Sequence, residues 1–231
     1  MSAAAPIVLI LGAGPNIGQA VARAFIAKGY KAVLVSRKQN EGDSSSDQLN
    51  IAADLSNPDA VVSAFSKVKT VLGDHPSVVV HNAAAVTPSP PTDPLSLALA
   101  DFTRSLNINT VSAFVAAQQA ALGFAKLPSS ASKTFIYTGN ILNTTVIPPL
   151  LDLGVGKSAT AHIIQTAATV YKDQGFKFYY ADQRKPDGSP IFNVDGEAHA
   201  DFYVGLAEGK SQGPWQQAFV KGEGYKVFPP A

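Results

Sequence analysis

The sequence predicts a single α/β domain, in which helices cover both faces of a doubly wound parallel sheet to give three αβα layers. Short runs rich in Val and Ile alternate with longer helical segments along the chain. Hydrophobic residues make up 46% of the 231 residues and charged residues only 15%, a balance typical of a sheet buried on both faces. With no internal repeat and no long linker, one domain is expected over residues 1–231.

Each strand is predicted from a short run of apolar residues that is followed by turn-forming residues or by polar side chains. Residues 7–11 are continuously apolar and end at a glycine-rich turn, as a buried parallel strand does. By the same argument, further strands are predicted at residues 32–35, 51–53, 77–80, 134–137, 176–180 and 225–228.

The helices are predicted from apolar positions at helical spacing. Residues 17–28 carry an apolar stripe that stops at Gly29, a residue that ends helices. Further helices are predicted at residues 58–72, 98–127, 154–171 and 197–207, while the proline-rich residues 87–94 predict an irregular loop. Right-handed crossovers would then place the loops that follow the strands at one edge of the sheet.

Charge and composition exclude several classes of function. The net charge of +1 gives no electrostatic basis for binding nucleic acid or a membrane. The chain has no cysteine, and its four histidines lack metal-ligand spacing, so no metal site is predicted. The first residues lack the features of a secretory signal, which predicts a cytoplasmic protein. The expected partner is a small-molecule substrate.

A glycine-rich turn joins the first predicted strand to the first predicted helix. Glycines let the backbone approach a diphosphate closely, and the helix N-terminus adds unpaired N–H groups and a positive dipole end. A Rossmann-type dinucleotide site is therefore predicted at this turn, because the motif has the required strand and helix on either side. Its proposed contact residues are Gly12, Gly14, Asn16, Ile17 and Gly18.

The end of the second strand predicts which dinucleotide is bound. An acidic residue at this place would accept hydrogen bonds from the adenosine ribose of NAD. The chain instead has Ser36 followed by Arg37 and Lys38. A guanidinium can bind a 2′-phosphate through two hydrogen bonds, so the sequence favours NADP(H) over NAD(H).

Two further turns are predicted to contact the nucleotide. Asp54 follows the third strand and could accept a hydrogen bond from the adenine amine, with Leu55 beside it. Asn82, Ala83 and Ala84 follow the fourth strand, and their small side chains would let the nucleotide lie against the backbone.

From about residue 7 to residue 180, the chain resembles the short-chain dehydrogenase/reductase family. The glycine turn matches that family's Thr-Gly-x-x-x-Gly-x-Gly motif, except that Asn16 stands where the middle glycine does. His81-Asn82-Ala83-Ala84 corresponds to its Asn-Asn-Ala-Gly, Asn109 to its mid-helix asparagine, and Lys157 to its active-site lysine. The resemblance implies that Asn109 shapes the site and supports a proton-relay water, and that Lys157 holds the nicotinamide ribose.

The family's tyrosine and serine are absent from the matching positions. The tyrosine, which donates the proton in carbonyl reduction, stands four residues before the lysine, where this chain has Leu153. The serine position holds Asn140, which can still form a hydrogen bond with a carbonyl or an imine. Asn109, Asn140 and Lys157 are therefore the predicted catalytic residues.

Three interpretations of this altered set remain open. The chain is an NADPH-dependent reductase with a different acid, for which Asp152, Tyr137, Tyr179, Tyr180 or a water on Lys157 are candidates. Alternatively, it reduces an imine or another electrophile that needs no protein acid. In the third interpretation it binds NADP(H) without turnover and has a regulatory or binding role.

The C-terminal residues 187–231 are predicted to form the substrate loop, a helix and the last strand, as the resemblance implies. Phe192, Phe202 and Trp215 are candidates to line an apolar pocket or to pack in the core. The resemblance also implies a homodimer or a homotetramer.

Overall fold

A computed structural model describes residues 4–229, which form one eight-stranded sheet with helices on both faces. The predicted domain limits, residues 1 and 231, lie outside the described residues. The strands are β1 (Ile7–Leu11), β2 (Lys31–Ser36), β3 (Gln48–Ala52), β4 (Val78–His81), β5 (Thr134–Thr138), β6 (Lys177–Arg184), β7 (Gln216–Val220) and β8 (Gly224–Tyr225). The helices are α1 (Ile17–Ala27), α2 (Asp59–Leu72), α3 (Leu99–Leu106), α4 (Ser112–Phe124), α5 (Leu151–Tyr171) and α6 (Gly196–Glu208).

The sheet order is β3-β2-β1-β4-β5-β6-β7-β8. Pairing is parallel from β3 through β7, and among the described strands only the short edge strand β8 is antiparallel. Helices α1 and α6 pack on one face of the sheet, and α2, α4 and α5 pack on the other. The predicted three-layer α/β fold is therefore confirmed.

Strand order reverses between β1 and β4, which pair directly although β2 and β3 lie between them in sequence. In doubly wound sheets a crevice opens outside the carboxyl ends of the strands at such a reversal. The turns after β1 and β4 therefore lie side by side at this edge.

Two predicted strands near the C-terminus were wrong in extent. The sixth strand was predicted at residues 176–180, but β6 continues to Arg184 because the side chains of Asp182 and Arg184 pair with each other inside the protein (Nε to Oδ2, 2.6 Å). The last parallel strand is β7, which was not predicted because it begins with two glutamines. Of the strand predicted at 225–228, only Tyr225 is in a strand, at the end of β8.

The predicted helix at residues 98–127 is also wrong as a single element. A π-helical turn, Asn107–Val111, separates α3 from α4 and contains the buried Asn109. Helix α5 begins at Leu151 rather than at Gly154, so Asp152 lies within its first turn. The third strand covers Gln48–Ala52 rather than residues 51–53, and therefore ends before Asp54.

Among residues 4–229, no helix is both long and apolar enough to cross a bilayer. The same residues contain no cluster of three or more side chains suited to holding a metal ion.

The turn after β1 touches the turn after β4. Gly12 has a φ of +92°, and a Cβ added there would lie 2.3 Å from the backbone nitrogen of Ala83. Backbone N–H groups of Asn82 and Ala83 both donate to the Leu11 carbonyl. Any side chain at Gly12 would therefore force the two turns apart.

We expect Gly12→Ala to destabilise the fold more than Gly29→Ala does. Gly29 also has a positive φ, of +83°, but an added Cβ would meet nothing within 4 Å, so it is a matched control for backbone strain alone. The strain costs about 1–2 kcal/mol in each variant, and the clash at Gly12 adds about 2 kcal/mol or more. Urea denaturation measures both variants, and equal losses would contradict the close contact.

Candidate functional site

A cavity of about 410 Å³, here called the crevice, opens at the carboxyl ends of β1, β4 and β5. It is lined by residues 14–17, Asn82, Ala84, residues 138–142, Ile147, Leu150, Leu153, Lys157, residues 190–192 and Val194. The crevice therefore brings together segments that are more than a hundred residues apart in sequence.

The glycine turn presents backbone toward the crevice. The side-chain amide of Asn82 donates to the Gly12 carbonyl (2.8 Å) and fixes the turn from behind. A Cβ at Gly18 would lie 2.6 Å from the Cα of Ala13, whereas one at Gly14 would meet nothing within 4 Å. Gly18 is thus needed for packing, while Gly14 lies where the turn has open space.

The N-terminus of α1 has two features that suit an anion. No side chain caps this end of the helix, because Asn16 makes no capping hydrogen bond. The first-turn N–H groups of a helix have no partner within it, and they carry the positive end of the dipole. Unfilled space at Gly14 and an uncapped helix end together suit a diphosphate.

Asn16 ties this turn to the C-terminal segment. Its side-chain nitrogen donates to the Val194 carbonyl (2.9 Å). A Cβ at Gly196 would lie 2.5 Å from the Asn16 side-chain oxygen, so the two segments touch closely. An asparagine in the glycine motif therefore joins the floor of the crevice to the loop that forms its opposite wall.

The predicted adenosine contacts lie after β2 and β3, outside the crevice lining. Ser36 ends β2 and is half-buried, while Arg37 and Lys38 are exposed. A hydrogen bond from the main chain of Ser56 holds the pKa of Asp54 below its ordinary value, and the positive charge of Arg37 lowers it further. Arg37 and the exposed Asp54 thus lie on the same side of this edge, while Leu55 is buried.

Asn109 does not line the crevice but shapes it from below. Its side chain accepts a hydrogen bond from the Ala85 N–H (3.3 Å) and donates to the Ala85 carbonyl (2.7 Å), which fixes the chain after β4. Its main-chain carbonyl accepts hydrogen bonds from the hydroxyls of Tyr137 (2.9 Å) and Thr160 (2.7 Å). The Asn109 carbonyl, which lies in the π-helical turn, is therefore hydrogen-bonded to two protein hydroxyls.

Lys157 reaches the crevice because α5 crosses the π-helical turn at a glycine. A Cβ at Gly156 would lie 2.7 Å from the Asn109 Cβ. The Lys157 ammonium donates to the Thr138 carbonyl (2.8 Å) and lies 4.4 Å from the centre of the Tyr137 ring. Burial lowers the pKa of Lys157 to about 7, although the charge of Asp182 opposes this.

His81 lies beneath the same group, fully buried and stacked on Tyr137. Among the described residues neither of its ring nitrogens has a hydrogen-bond partner. Burial, and secondarily the charge of Lys157, lowers the pKa of His81 to about 3. It therefore stays neutral and acts as packing rather than as an acid.

Asn140 and Leu153 both line the crevice, together with Lys157. The Asn140 side-chain oxygen accepts from the Leu142 N–H (3.0 Å), which leaves its amide nitrogen without a described protein partner. Leu153 supplies only an apolar surface. At this end of the crevice the side-chain hydrogen-bond donors among the described residues are therefore Asn140, Lys157 and the hydroxyl of Thr138.

The Thr138 hydroxyl was not found from the sequence. It lies 2.8 Å from the hydroxyl of Tyr203, a fully buried residue of α6. Nothing in the local sequence around Thr138 signals this contact, because the two residues are 65 positions apart.

None of the tyrosines considered as proton donors lines the crevice. Their hydroxyls donate to main-chain carbonyls: Tyr137 to Asn109 (2.9 Å), Tyr179 to Ser211 (3.2 Å) and Tyr180 to Asn140 (2.7 Å). Burial raises the pKa of each above its ordinary value.

The carboxylate of Asp152 also forms its hydrogen bonds with the main chain. It is fully buried and accepts from the N–H groups of Thr87 (2.8 Å) and Leu153 (2.7 Å). The hydrogen bond from Thr87 holds the loop after β4 against α5, so Asp152 positions the wall of the crevice.

The crevice thus brings together many, though not all, of the residues predicted from the sequence. Those that line it are Gly14, Asn16, Ile17, Asn82, Ala84, Asn140, Leu153 and Lys157. Those that lie outside its lining are Gly12, Gly18, Ser36, Arg37, Lys38, Asp54, Leu55, Ala83 and Asn109. Of the aromatic candidates near the C-terminus, Phe192 lines the crevice, whereas Phe202 stacks on Phe219 and Trp215 packs beside Tyr180.

Comparison with known proteins identifies the family. A model of the short chain dehydrogenase family matches residues 6–145. The short chain dehydrogenase/reductase dmxR12 of Cryptosporiopsis sp. (strain 8999) is 50% identical over 237 residues, covering 97% of this chain and 95% of that protein. The chain therefore belongs to the short-chain dehydrogenase/reductase family of oxidoreductases.

Solved structures share the fold at low identity. A 3-oxoacyl-[acyl-carrier protein] reductase from Brucella melitensis is 17% identical with a TM-score of 0.78, over 90% of this chain and 92% of that one. A metagenomic short-chain oxidoreductase in complex with NADP is 15% identical with a TM-score of 0.78, over 93% and 96% of the two chains.

We expect the buried Lys157 to make stability depend on pH. Its pKa is about 7 in the folded chain and ordinarily 10.5, so between these values the unfolded chain binds more protons. The stability of the wild type should then rise with pH relative to that of Lys157→Met. Urea denaturation at pH 7 and pH 10 measures the difference, with Lys69→Met as an exposed control; a difference independent of pH would contradict the burial of a titrating amine.

Proposed function

We propose that the protein is an NADP(H)-dependent reductase of a carbonyl, an imine or a similar electrophile, with Leu153 and Asn140 in place of the family's tyrosine and serine. The observation that carries the proposal is the crevice itself, in which the open Gly14 backbone lies with Asn140 and Lys157. The NADP complex of the structurally similar metagenomic oxidoreductase supports this choice of cofactor.

The residues would hold the cofactor as follows. The turn at Gly14 and the uncapped end of α1 bind the diphosphate, while Asn82 and Ala84 form the wall beside the nucleoside. Arg37 and Lys38 neutralise the 2′-phosphate, since both are exposed at the end of β2. Lys157 binds the nicotinamide ribose. When bound, the reduced nicotinamide supplies the hydride.

Asn140 and Lys157 are the side chains that would polarise the substrate. The free amide nitrogen of Asn140 binds the carbonyl oxygen or the imine nitrogen. Lys157, with a pKa of about 7, can deliver a proton directly or through a water near neutral pH. Because Leu153 cannot donate a proton, this site favours substrates that are already electrophilic.

A second candidate function is NADP(H) binding without turnover. It is favoured by one observation: the tyrosines and Asp152 are all bound to main-chain groups, and none of them lines the crevice. In this alternative, the loss of the acid leaves a cofactor-dependent binding or regulatory protein.

Turnover separates the two candidates. We expect NADPH to be oxidised with at least one member of a panel of ketones, imines and quinones. The rate should fall ~100-fold or more in Lys157→Met because a general acid contributes that much. Full activity in that variant would refute the role of Lys157, and tight cofactor binding without turnover of any substrate would support the binding protein.

We expect NADPH to bind ~10-fold (~1.4 kcal/mol) or more tightly than NADH in calorimetric titrations. Arg37→Ala should remove most of this difference by weakening NADPH alone, whereas Lys69→Ala, an exposed cation on α2, should not. Equal affinities of the wild type for the two cofactors would refute the assignment of Arg37 and Lys38.

A further inference from the structure

A second cavity, of about 700 Å³, adjoins the crevice and is here called the side cavity. Leu142, Ile147 and Leu150 line both, so the two spaces share one wall. The side cavity lies between the loop after β5, the start of α5 and the prolines Pro91 and Pro94. Leu142, whose N–H donates to the side chain of Asn140, places the side cavity next to the Asn140 end of the crevice.

The lining of the side cavity, as far as the described residues form it, carries no charge. Its residues are Pro91, Pro94, Leu142, residues 145–148, Leu150, Leu151, Gly154, Val155, Ser158 and Ala159, and none of them ionises. In the crevice, Lys157 is the one ionisable side chain among the described lining residues, and it already donates to Thr138. A carboxylate or phosphate held against this lining would gain no charged partner, which is unfavourable wherever the group gives up water.

One polar group in this lining lacks a partner. The hydroxyl of Thr145 is buried and forms no hydrogen bond with any described residue. This hydroxyl is enclosed by protein, so the accessible part of the lining is almost entirely apolar, and an apolar ring or chain would fill the space.

From this lining we infer that the substrate is an uncharged, largely apolar molecule whose body lies in the side cavity, with its electrophilic carbon at the Asn140 end. This inference rests on the proposed reductase function for the position of the reacting end. It excludes substrates that carry a carboxylate or a phosphate on the part that lies in the side cavity.

Gly154 offers a direct way to close the side cavity. It lies in the first turns of α5, and an added Cβ would meet nothing within 4 Å. Leucine also forms helices better than glycine, so Gly154→Leu should fold and occupy the space without strain. Gly205, an exposed glycine of α6 with equally open surroundings, provides the matched control Gly205→Leu.

The test uses 9-fluorenone and 9-fluorenone-2-carboxylate as probes. Binding is measured with the protein saturated with NADP+, which cannot reduce the ketone, and turnover is measured separately with NADPH. Thermal-shift titration should show the neutral ketone binding ~10-fold or more tightly than the carboxylate, because the unpaired charge must be desolvated. Gly154→Leu should weaken fluorenone binding ~10-fold or more, while Gly205→Leu leaves it unchanged.

Binding and turnover of fluorenone test different claims. Fluorenone that binds selectively but is not reduced supports the side cavity while counting against the reductase. Equal binding of ketone and carboxylate, no binding of either, or unchanged fluorenone binding in Gly154→Leu would each overturn the inference.

Discussion

The backbone of Ala83 lies so close to Gly12 that no side chain fits between them, and the other features of the site depend on this contact. The amide of Asn82 holds the Gly12 carbonyl from the same side. Together they fix the turns after β1 and β4 against each other where the strand order reverses. The crevice is the space that these turns leave at the edge of the sheet.

A second constraint comes from the buried charge at the other end of the crevice. The π-helical turn lets Asn109 hold Ala85, and Gly156 lets α5 approach that turn closely enough to bury Lys157. Burying an amine is unfavourable, and the hydrogen bond to Thr138 and the ring of Tyr137 compensate only in part. A cost of this kind is typical of functional sites, where fixed donors face a ligand.

The order of elements and the glycine turn could be predicted from sequence because they depend on local patterns. Apolar runs marked β1, β2 and β4, and their ends located the residues around the crevice. The π-helical turn could not be predicted, because a stretch of helical residues looks the same whether or not one extra residue is inserted. Strand β7 was missed because its glutamines, Gln216 and Gln217, conceal the apolar pattern.

Contacts between segments that are distant in sequence could not be predicted either. The tie from Asn16 to Val194 spans 178 positions, and the pair of Thr138 and Tyr203 depends on how α6 packs under β5. The family resemblance assigns Leu153 and Asn140 by matching the family's tyrosine and serine positions, and both residues line the crevice with Lys157. How the cofactor uses them stays a prediction.

The most direct measurement is a crystal structure of the protein soaked with NADPH. We expect the diphosphate against the backbone at Gly14 and the end of α1, the 2′-phosphate beside Arg37, and the nicotinamide between Asn140 and Leu153. A cofactor bound elsewhere, or a crevice that stays empty at saturating NADPH, would contradict the proposed site.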